Sequence, residues 1–545
     1  MRSILAAALL AATPAAPAQE LAGTARAESA HGWAPDSVFY LAFVRSFADS
    51  TQGPLAGDGV GDLRGMIERL DYLNDGDPTT DTDLGITGLW LLPIAQSPSY
   101  HGYDTTDYYA VDDEYGTMDD LRELVAECHA RGIKVVLDLV LNHSADEHPW
   151  FIESIDPGSD KRGWYVWADP KPDYPGAWGQ VVWHDHHRER AGASYYGGFW
   201  HGMPDLNYRS DALTEEMKRV TEFWIDEANV DGYRLDAIKH LIEDGPEQSS
   251  TPSTLAWLRD YNAFCDTLEP APWLVGEVWA GPDEIARYIG KGLDTPALDS
   301  AFDFPLSYAI LEGLRDGDPA RLRAELARSW ETYGLRASPF LSNHDTTRTM
   351  SVLEGNDRKA RAAATLLLTA PGTPFIYYGE EVGMAGTKPD PDLRTPFHWQ
   401  ADADTAGFTT GTPWRAPHRD VFTANLERQQ LDDASLWSHY RDLIRARHDL
   451  APLRRGSVRV VDAGNDDLVA LVREHEGERV LVVVNASGAI IRDYGFDDEE
   501  LGVFPTRVGV DALTGNATAP VTAVIPWRPF RVMLPHGSWV IELND

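Results

Sequence analysis

Four short stretches place acidic, basic and aromatic side chains where β-strands would end. They are Asp138-Leu-Val-Leu-Asn142-His143, Gly232-Tyr-Arg234-Leu-Asp236-Ala-Ile-Lys239-His240, Val275-Gly-Glu277-Val-Trp279 and Phe340-Leu-Ser-Asn343-His344-Asp345. Two carboxyl groups roughly 5–5.5 Å apart suit a retaining glycosidase, in which one attacks the anomeric carbon and the other protonates the leaving oxygen. Asp236 and Glu277 lie a single βα step apart and should face one opening; Asp345, two units further on, would reach it from across the mouth. Arg234 sits two residues before Asp236, on the same strand face, where its fixed charge is expected to keep the nucleophile ionised. The apolar company of Glu277 (Val275, Val278, Trp279) favours a raised pKa and an acid role. Any one of these motifs alone reads equally well as a strand-end ion pair. Four at barrel spacing point to a shared site.

The elements that must deliver them follow one grammar from Val38 onward: a short apolar or β-branched run, a polar turn, then a helical stretch, the pattern of βα units. Eight strands are expected: Val38–Arg45, Ile86–Leu92, Lys134–Leu139, Gly232–Asp236, Trp273–Glu277, Ala297–Asp303, Pro339–Ser342 and Phe375–Tyr378. Thr117–Arg131 reads as a helix, with Leu121, Leu124, Val125 and Cys128 on one face and Gly132 as its stop. The eighth helix is expected far along, near Ser435–Arg447. The fold class is α/β, a (β/α)8 TIM barrel with its site at the carboxyl ends of the strands. Ser144–Gly202 breaks the grammar, being rich in Trp, Pro, Gly and His, and is read as an inserted subdomain walling the cleft. Beyond Leu453 short strands and turns, such as Leu468–Glu474 and Arg479–Asn485 about Glu476-Gly477, then Trp539–Leu543, indicate an antiparallel β-domain. The division expected is 33–143 and 203–453 for the catalytic barrel, 144–202 for the inserted B subdomain and 454–545 for a C-terminal β-sandwich.

Composition narrows the partners. The 86 acidic against 47 basic side chains give a net charge of −39, a field that repels phosphate backbones and anionic lipid, so neither nucleic acid nor membrane is expected. An acidic solvated surface accounts for that charge without a specific role. Residues 1–18 read as a secretory signal: Arg2, the apolar run Ile4 to Ala12, and a small-residue Ala16-Pro17-Ala18 cleavage site. The expectation is export to the periplasm or medium. The two cysteines, Cys128 and Cys265, cannot make a disulfide framework and read as small buried hydrophobes.

The four segments resemble the signature regions of the α-amylase family of glycoside hydrolases, and the similarity runs from about Val38 to the end. The resemblance implies Asp236 as nucleophile, Glu277 as general acid/base and Asp345 as the third carboxylate, which binds sugar hydroxyls. It places His143, Arg234 and His344 around the reacting sugar. Tyr103, in Ser99-Tyr-His101-Gly-Tyr103-Asp104, becomes the aromatic platform, with His101 and Asp104 beside it. Lys239 and His240 look like a pair used beyond the cleavage point, and Trp279 and Arg348 join the substrate contacts. Met203-Pro-Asp-Leu-Asn207 resembles the motif of a subgroup between oligo-1,6-glucosidases and neopullulanases. Tyr100 stands where the oligo-1,6-glucosidases usually carry an Asp, and this, with the Lys239-His240 pair, favours internal α-1,4 cleavage. Asp392-Leu-Arg394-Thr-Pro-Phe-His-Trp399 instead resembles a segment of exo-acting and transferring members, so an α-glucosidase or glucosyl-transferring enzyme, trehalose- and sucrose-active types included, stands as the rival. A non-catalytic glucan-binding scaffold is the reading from another class, and three intact carboxylates argue against it. The expected partner is a starch-like α-glucan or maltooligosaccharide, with no organic cofactor and a monomer favoured.

A calcium site is expected at Asp49, Asp58, the Val60 carbonyl and Asp62, where carboxylates alternate with glycine turns as an oxygen-ligand site requires. Related enzymes carry a more compact form of this loop. The loop Asn74–Asp83 is read as a solvated turn, and His184, His186 and His187 as loop rather than zinc ligands. Of 18 tryptophans, Trp178, Trp183, Trp200 and Trp279 are the candidates for sugar contact.

Overall fold

The computed structural model describes residues 31–189, 192–497, 501, 510–515, 518 and 527–543. The expected signal, residues 1–18, lies outside them. Among the described residues no helix is long and apolar enough to cross a membrane.

Eight parallel strands form one sheet: β1 (Phe39–Ala42), β2 (Gly88–Leu91), β3 (Lys134–Leu139), β4 (Gly232–Leu235), β5 (Trp273–Gly276), β6 (Ser300–Phe302), β7 (Ala337–Ser338) and β8 (Phe375–Tyr377). Each lies inside or beside its expected span; β7 begins two residues early. The sheet runs in chain order from β1 to β7, with β8 beside β1. A parallel bridge between Phe340 and Phe375 joins the last two strands, which closes the barrel.

The expected helix is Met118–Ala130, and Thr117 and Asp120 form a reciprocal capping box at its start. The distant eighth helix is Leu436–Asp449, capped by Ser435. Cys128 and Cys265 are buried and unbridged.

Register decides what faces what. Asp138 on β3 pairs with Arg234 on β4, and Arg234 pairs with Val275 on β5. Because side chains alternate along a strand, Asp236 and Glu277 are the next inward pair on β4 and β5, and the Glu277 N–H donates to the Leu235 carbonyl at 3.0 Å in keeping with it. Below them the barrel is filled by aromatic rings: Phe39 stacks on Phe375 at 4.7 Å, and Trp90 on Phe302 at 5.3 Å. Gly88 makes room for this layer, since a Cβ there would lie 2.6 Å from the Phe39 ring.

The insertion after β3 carries a helix, Pro149–Ser154, and a small sheet in which Ser194–Tyr196 runs between Trp167–Ala168 and Trp183–Asp185. After the barrel come β9 (Ser457–Val460), β10 (Leu468–His475), β11 (Glu478–Asn485), β12 (Val510–Asp511) and β13 (Ser538–Glu542), an antiparallel sheet in the order β9-β10-β11-β13-β12. Its period of two serves two cores. Val469, Leu471, Val480 and Val482 pack into the barrel's core, while Leu468, Ala470, Val472, Leu481 and Val483 pack outward. On that outer face the described residues show two antiparallel bridges, Ile491 with Met533 and Phe496 with Trp527, rather than the second full sheet of a sandwich.

A buried arginine of this domain, Arg473, pins it to the barrel, beside a second, Arg447, that belongs to the barrel itself. The helix Asp357–Thr369 ends at the seam, leaving carbonyls that have no partner within the helix. Arg447 donates to the Leu368 carbonyl at 2.8 Å and also to Gly372. Arg473 donates to Thr369, to Ala370 at 3.0 Å and, within its own domain, to Gly456 at 2.9 Å. Positive charge at a helix C-terminus also opposes its dipole. Replacing Arg473 by leucine strands several buried carbonyls, each worth about 1–3 kcal/mol. We expect Arg473→Leu to lower the urea and thermal midpoints by on the order of 3 kcal/mol, while Arg492→Ala on the exposed surface stays within about 0.5 kcal/mol. Equal midpoints for the two variants would remove Arg473 from the seam.

Candidate active site

One guanidinium organises the barrel mouth. Arg234 is 1% exposed. Its Nη1 donates to Asp138 at 2.9 and 3.0 Å and to Asp236 Oδ1 at 2.7 Å, and its Nη2 donates to Glu277 Oε2 at 2.8 Å. The expected pairing with Asp236 is present, but Glu277 holds the same cation, so Arg234 does not by itself separate the two carboxyls. Ala237, in the left-handed region at φ 48°, turns its N–H onto Glu277 Oε2 at 3.0 Å.

Burial pushes Glu277 up, and the neighbouring Asp236 and Asp345 carboxylates add to it against Arg234. Burial also pushes Asp236 up, opposed by Arg234 and by a hydrogen bond from the Glu277 carboxyl. Both carboxyls are thus biased toward holding a proton. Asp138, fully enclosed, is pushed up to about 7 by burial in spite of Arg234.

Asp345 behaves oppositely. Its carboxylate is held by His344 Nε2 at 3.0 Å and Arg394 Nη2 at 2.9 Å. Burial alone would raise its pKa, but His344, Arg394 and Arg234 together hold it well below the usual carboxylate range. It stays ionised while its neighbours share protons. Tyr103 ties the two halves together: its hydroxyl donates to Asp138 at 3.0 Å and meets His344 Nε2 at 2.7 Å, and its ring stacks on His344 at 5.5 Å.

The remaining expected contacts divide. His101 accepts the Tyr103 N–H at 3.1 Å, and Asp104 is buried against the Ser97 and Ser99 hydroxyls, so both brace the Tyr103 loop from behind. His143 is a buried imidazole fixed by Asn142 at 3.0 Å and drawn down to about 4 by burial. Lys239 donates to the Trp279 carbonyl at 2.7 Å, and His240 packs edge-on against Trp178. Trp279 is 39% exposed, stacks on Phe304 at 5.0 Å and donates to the Tyr308 hydroxyl at 2.8 Å. Trp178, Phe199 and Trp200 are exposed, whereas Trp183 belongs to the insertion's own core.

Arg348 is a correction. It lies buried under the site, donating to the carbonyls of Leu393 and Tyr378 at 2.8 Å each, with its guanidinium over the Tyr377 and Tyr378 rings. Its hydrogen bonds go to backbone carbonyls rather than to the three carboxylates. The cation that does reach the third carboxylate is Arg394, whose segment the sequence offered only as a subtype marker. Asp138 and Phe199 were also passed over. Asp138 was visible at the end of β3, but only its register with Arg234 gives it a partner; Phe199 lies in the aperiodic insertion.

The loop expected to hold calcium is closed by its own hydrogen bonds. Asp49 accepts the N–H groups of Gly57 and Gly59, both at 2.9 Å. Asp62 caps the following helix through Gly65 and accepts from Ser50, and Asp58 closes its own turn onto Val60. The carboxylates of this loop thus cap backbone N–H groups of the loop and of the helix that follows. Among the described residues no group of three or more His, Cys, Asp or Glu is arranged to hold a metal.

Comparison with known proteins agrees with this geometry. Residues 41–456 match the α-amylase catalytic domain family. The chain is 36% identical over 475 residues to α-amylase 3 of Dictyoglomus thermophilum, covering 86% of this chain and 88% of that protein. It is 34% identical to the trehalose synthase of Thermus thermophilus, spanning 94% of this chain but 56% of that one. The crystal structure of the α-amylase from H. orenii superposes with a TM-score of 0.78 at 34% identity, over 93% of this chain and 99% of that one. The chain belongs to the α-amylase family of glycoside hydrolases, family 13, and is an enzyme of that class.

Proposed function

We propose that this enzyme is an exported hydrolase that cleaves internal α-1,4-glucosidic bonds of starch-like glucans or maltooligosaccharides by double displacement, with retention. Asp236 is the nucleophile, Glu277 the general acid and then base, and Asp345 the ionised carboxylate that binds sugar hydroxyls and stabilises positive charge at the anomeric centre. The observation that carries the reading is the in-register pair Asp236 and Glu277 on one buried Arg234. Neighbouring strands lie about 4.7–4.9 Å apart, close to the roughly 5–5.5 Å carboxyl separation of retaining enzymes. The site supplies one proton to the leaving oxygen through Glu277, while Asp236 attacks from the other side. Tyr103 offers a ring to the apolar face of the sugar. Lys239, His240 and the exposed Trp178 and Trp279 extend the cleft beyond the bond to be cut. Support for export rests on the sequence of residues 1–18.

A rival reading, α-glucosidase or glucosyl transfer, is favoured by the Arg394–Asp345 ion pair, which brings the segment shared with exo-acting and transferring enzymes into the site. The product pattern separates the two. From a maltoheptaoside blocked at its non-reducing end we expect medium-length products at the earliest times. No cleavage of the blocked chain, with free glucose as the sole early product from the unblocked one, would defeat internal cleavage.

The two carboxyl roles separate by leaving group. Glu277→Gln should lose about 10²–10⁴ in rate on maltooligosaccharides yet still release fluoride from maltosyl fluoride, whose leaving group needs no proton. Asp236→Asn should lose both reactions. Because Glu277 must be protonated for the first step, the wild-type rate should fall on the alkaline side as that proton is lost, and this limb should vanish for the Gln variant on the fluoride. Equal losses on both substrates for both variants would remove the assignment.

A further inference from the structure

Outside the catalytic cleft the inserted subdomain borders a second cavity of about 550 Å³. None of the residues assigned above to the cleft lines it. It lies between the insertion's small sheet and residues 241–245, which follow the Asp236 loop, and its size falls in the roughly 300–1,000 Å³ range of small-molecule sites.

The lining has a distinct chemistry. Tyr174 and Tyr196 meet Trp183 edge-on, with centroids 6.1 and 5.2 Å away, so the three rings form angled apolar walls. Trp167, covered on one face by the Arg162 guanidinium at 3.9 Å, closes the back. Both cations in the lining are already engaged: Arg162 by the Ser154 and Ile155 carbonyls, Arg209 by Asp244 at 2.6 Å and the Glu243 carbonyl at 2.9 Å. The oxygens already facing each guanidinium offset its pull on an anionic ligand. The Glu243 carboxyl, pushed up to about 7 chiefly by burial, does not present a full negative charge to attract an amine. What remains is aromatic surface with a carboxyl group and the Tyr196 hydroxyl at its margin. Apolar faces combined with a few hydrogen-bonding groups suit a neutral, hydroxyl-rich ring.

We propose that this cavity is a second saccharide-binding site, taking a neutral α-glucan segment against Tyr174 and Trp183 with hydrogen bonds to Glu243 and Tyr196. The inference rests on the glucan reading above. A chain long enough to occupy both cavity and cleft would be held at raised local concentration for the next cut.

Titrating maltotriose into the Glu277→Gln enzyme by calorimetry counts sites without turnover. Two sites are expected. Adding Tyr174→Ala, or the gentler Glu243→Gln, should weaken one site about tenfold and leave the other; placed in the wild-type enzyme, either change should leave maltotriose hydrolysis unchanged. A single site insensitive to both changes, in an enzyme whose wild type hydrolyses maltooligosaccharides, overturns the second site and leaves the glucan reading standing. Failure of the wild type to bind or cut maltooligosaccharides removes that reading and this inference together. Occupation of the cavity by choline and not by maltotriose would also overturn it, marking an amine site.

Discussion

The buried Arg234 guanidinium is the interaction on which the rest depends. A lone charge at that depth would be prohibitive, and three carboxyls on three adjacent strands surround it: Asp138, Asp236 and Glu277. One cation cannot neutralise three anions, so the cluster retains protons. Asp345, with its own Arg394, contributes negative charge that reinforces this. A site with one fixed cation, one committed anion and a shared proton is already equipped for acid catalysis and nucleophilic attack by adjacent groups. Electrostatics alone does not say which carboxyl does which. Glu277 receives the Ala237 N–H and the Arg234 Nη2 on a single oxygen, while Asp236 takes the Arg234 Nη1.

Register makes that cluster achievable. The pairing of Asp138 with Arg234, and of Arg234 with Val275, sends two polar side chains into one layer of a barrel that is otherwise hydrocarbon and aromatic, with Asp236 and Glu277 in the layer above. Trp90 lies directly beneath, with the Arg234 guanidinium over its ring at 5.2 Å. The aromatic floor excludes water from below, so the ion pairs act in a low dielectric, while the insertion and the exposed tryptophans border them above. Slipping any one of these strands by a single residue would turn the acids into the helical layer. The barrel's rigidity is therefore a condition of the chemistry.

Much of this could be read from the chain. Strand ends announce themselves through short β-branched runs, and acids at those ends face the mouth of a barrel, so Asp236, Glu277, Asp345 and Arg234 were legible before any coordinates. Contacts made by loops were not. Arg394 reaches Asp345 across a long connection after β8, and no periodicity links positions 345 and 394. The Asp49–Asp62 loop is ambiguous in sequence because alternating carboxylates and glycines serve equally well to satisfy backbone N–H groups in tight turns. The C-terminal domain shows the same boundary: alternating strands predict a sheet with two covered faces, not what covers them.

Arg348 and Arg394 illustrate why a charged residue near a catalytic motif need not be catalytic. Arg348 and the Tyr377 hydroxyl both donate to the Leu393 carbonyl, at 2.8 and 3.0 Å, and the Tyr378 hydroxyl donates to Thr395 at 2.8 Å. Ser46 adds a hydrogen bond to the Arg394 carbonyl itself. The backbone around Arg394 is thus clamped from three elements, which leaves its side chain little freedom other than to meet Asp345. Arg348 is part of that clamp. It lies close to Asp345 in sequence because the turn after β7 must carry both the carboxylate and the support for its partner. Proximity along the chain therefore marks the functional region correctly while misassigning the work within it, and burial of the guanidinium against carbonyls is what tells the supporting arginine from the one in the cleft.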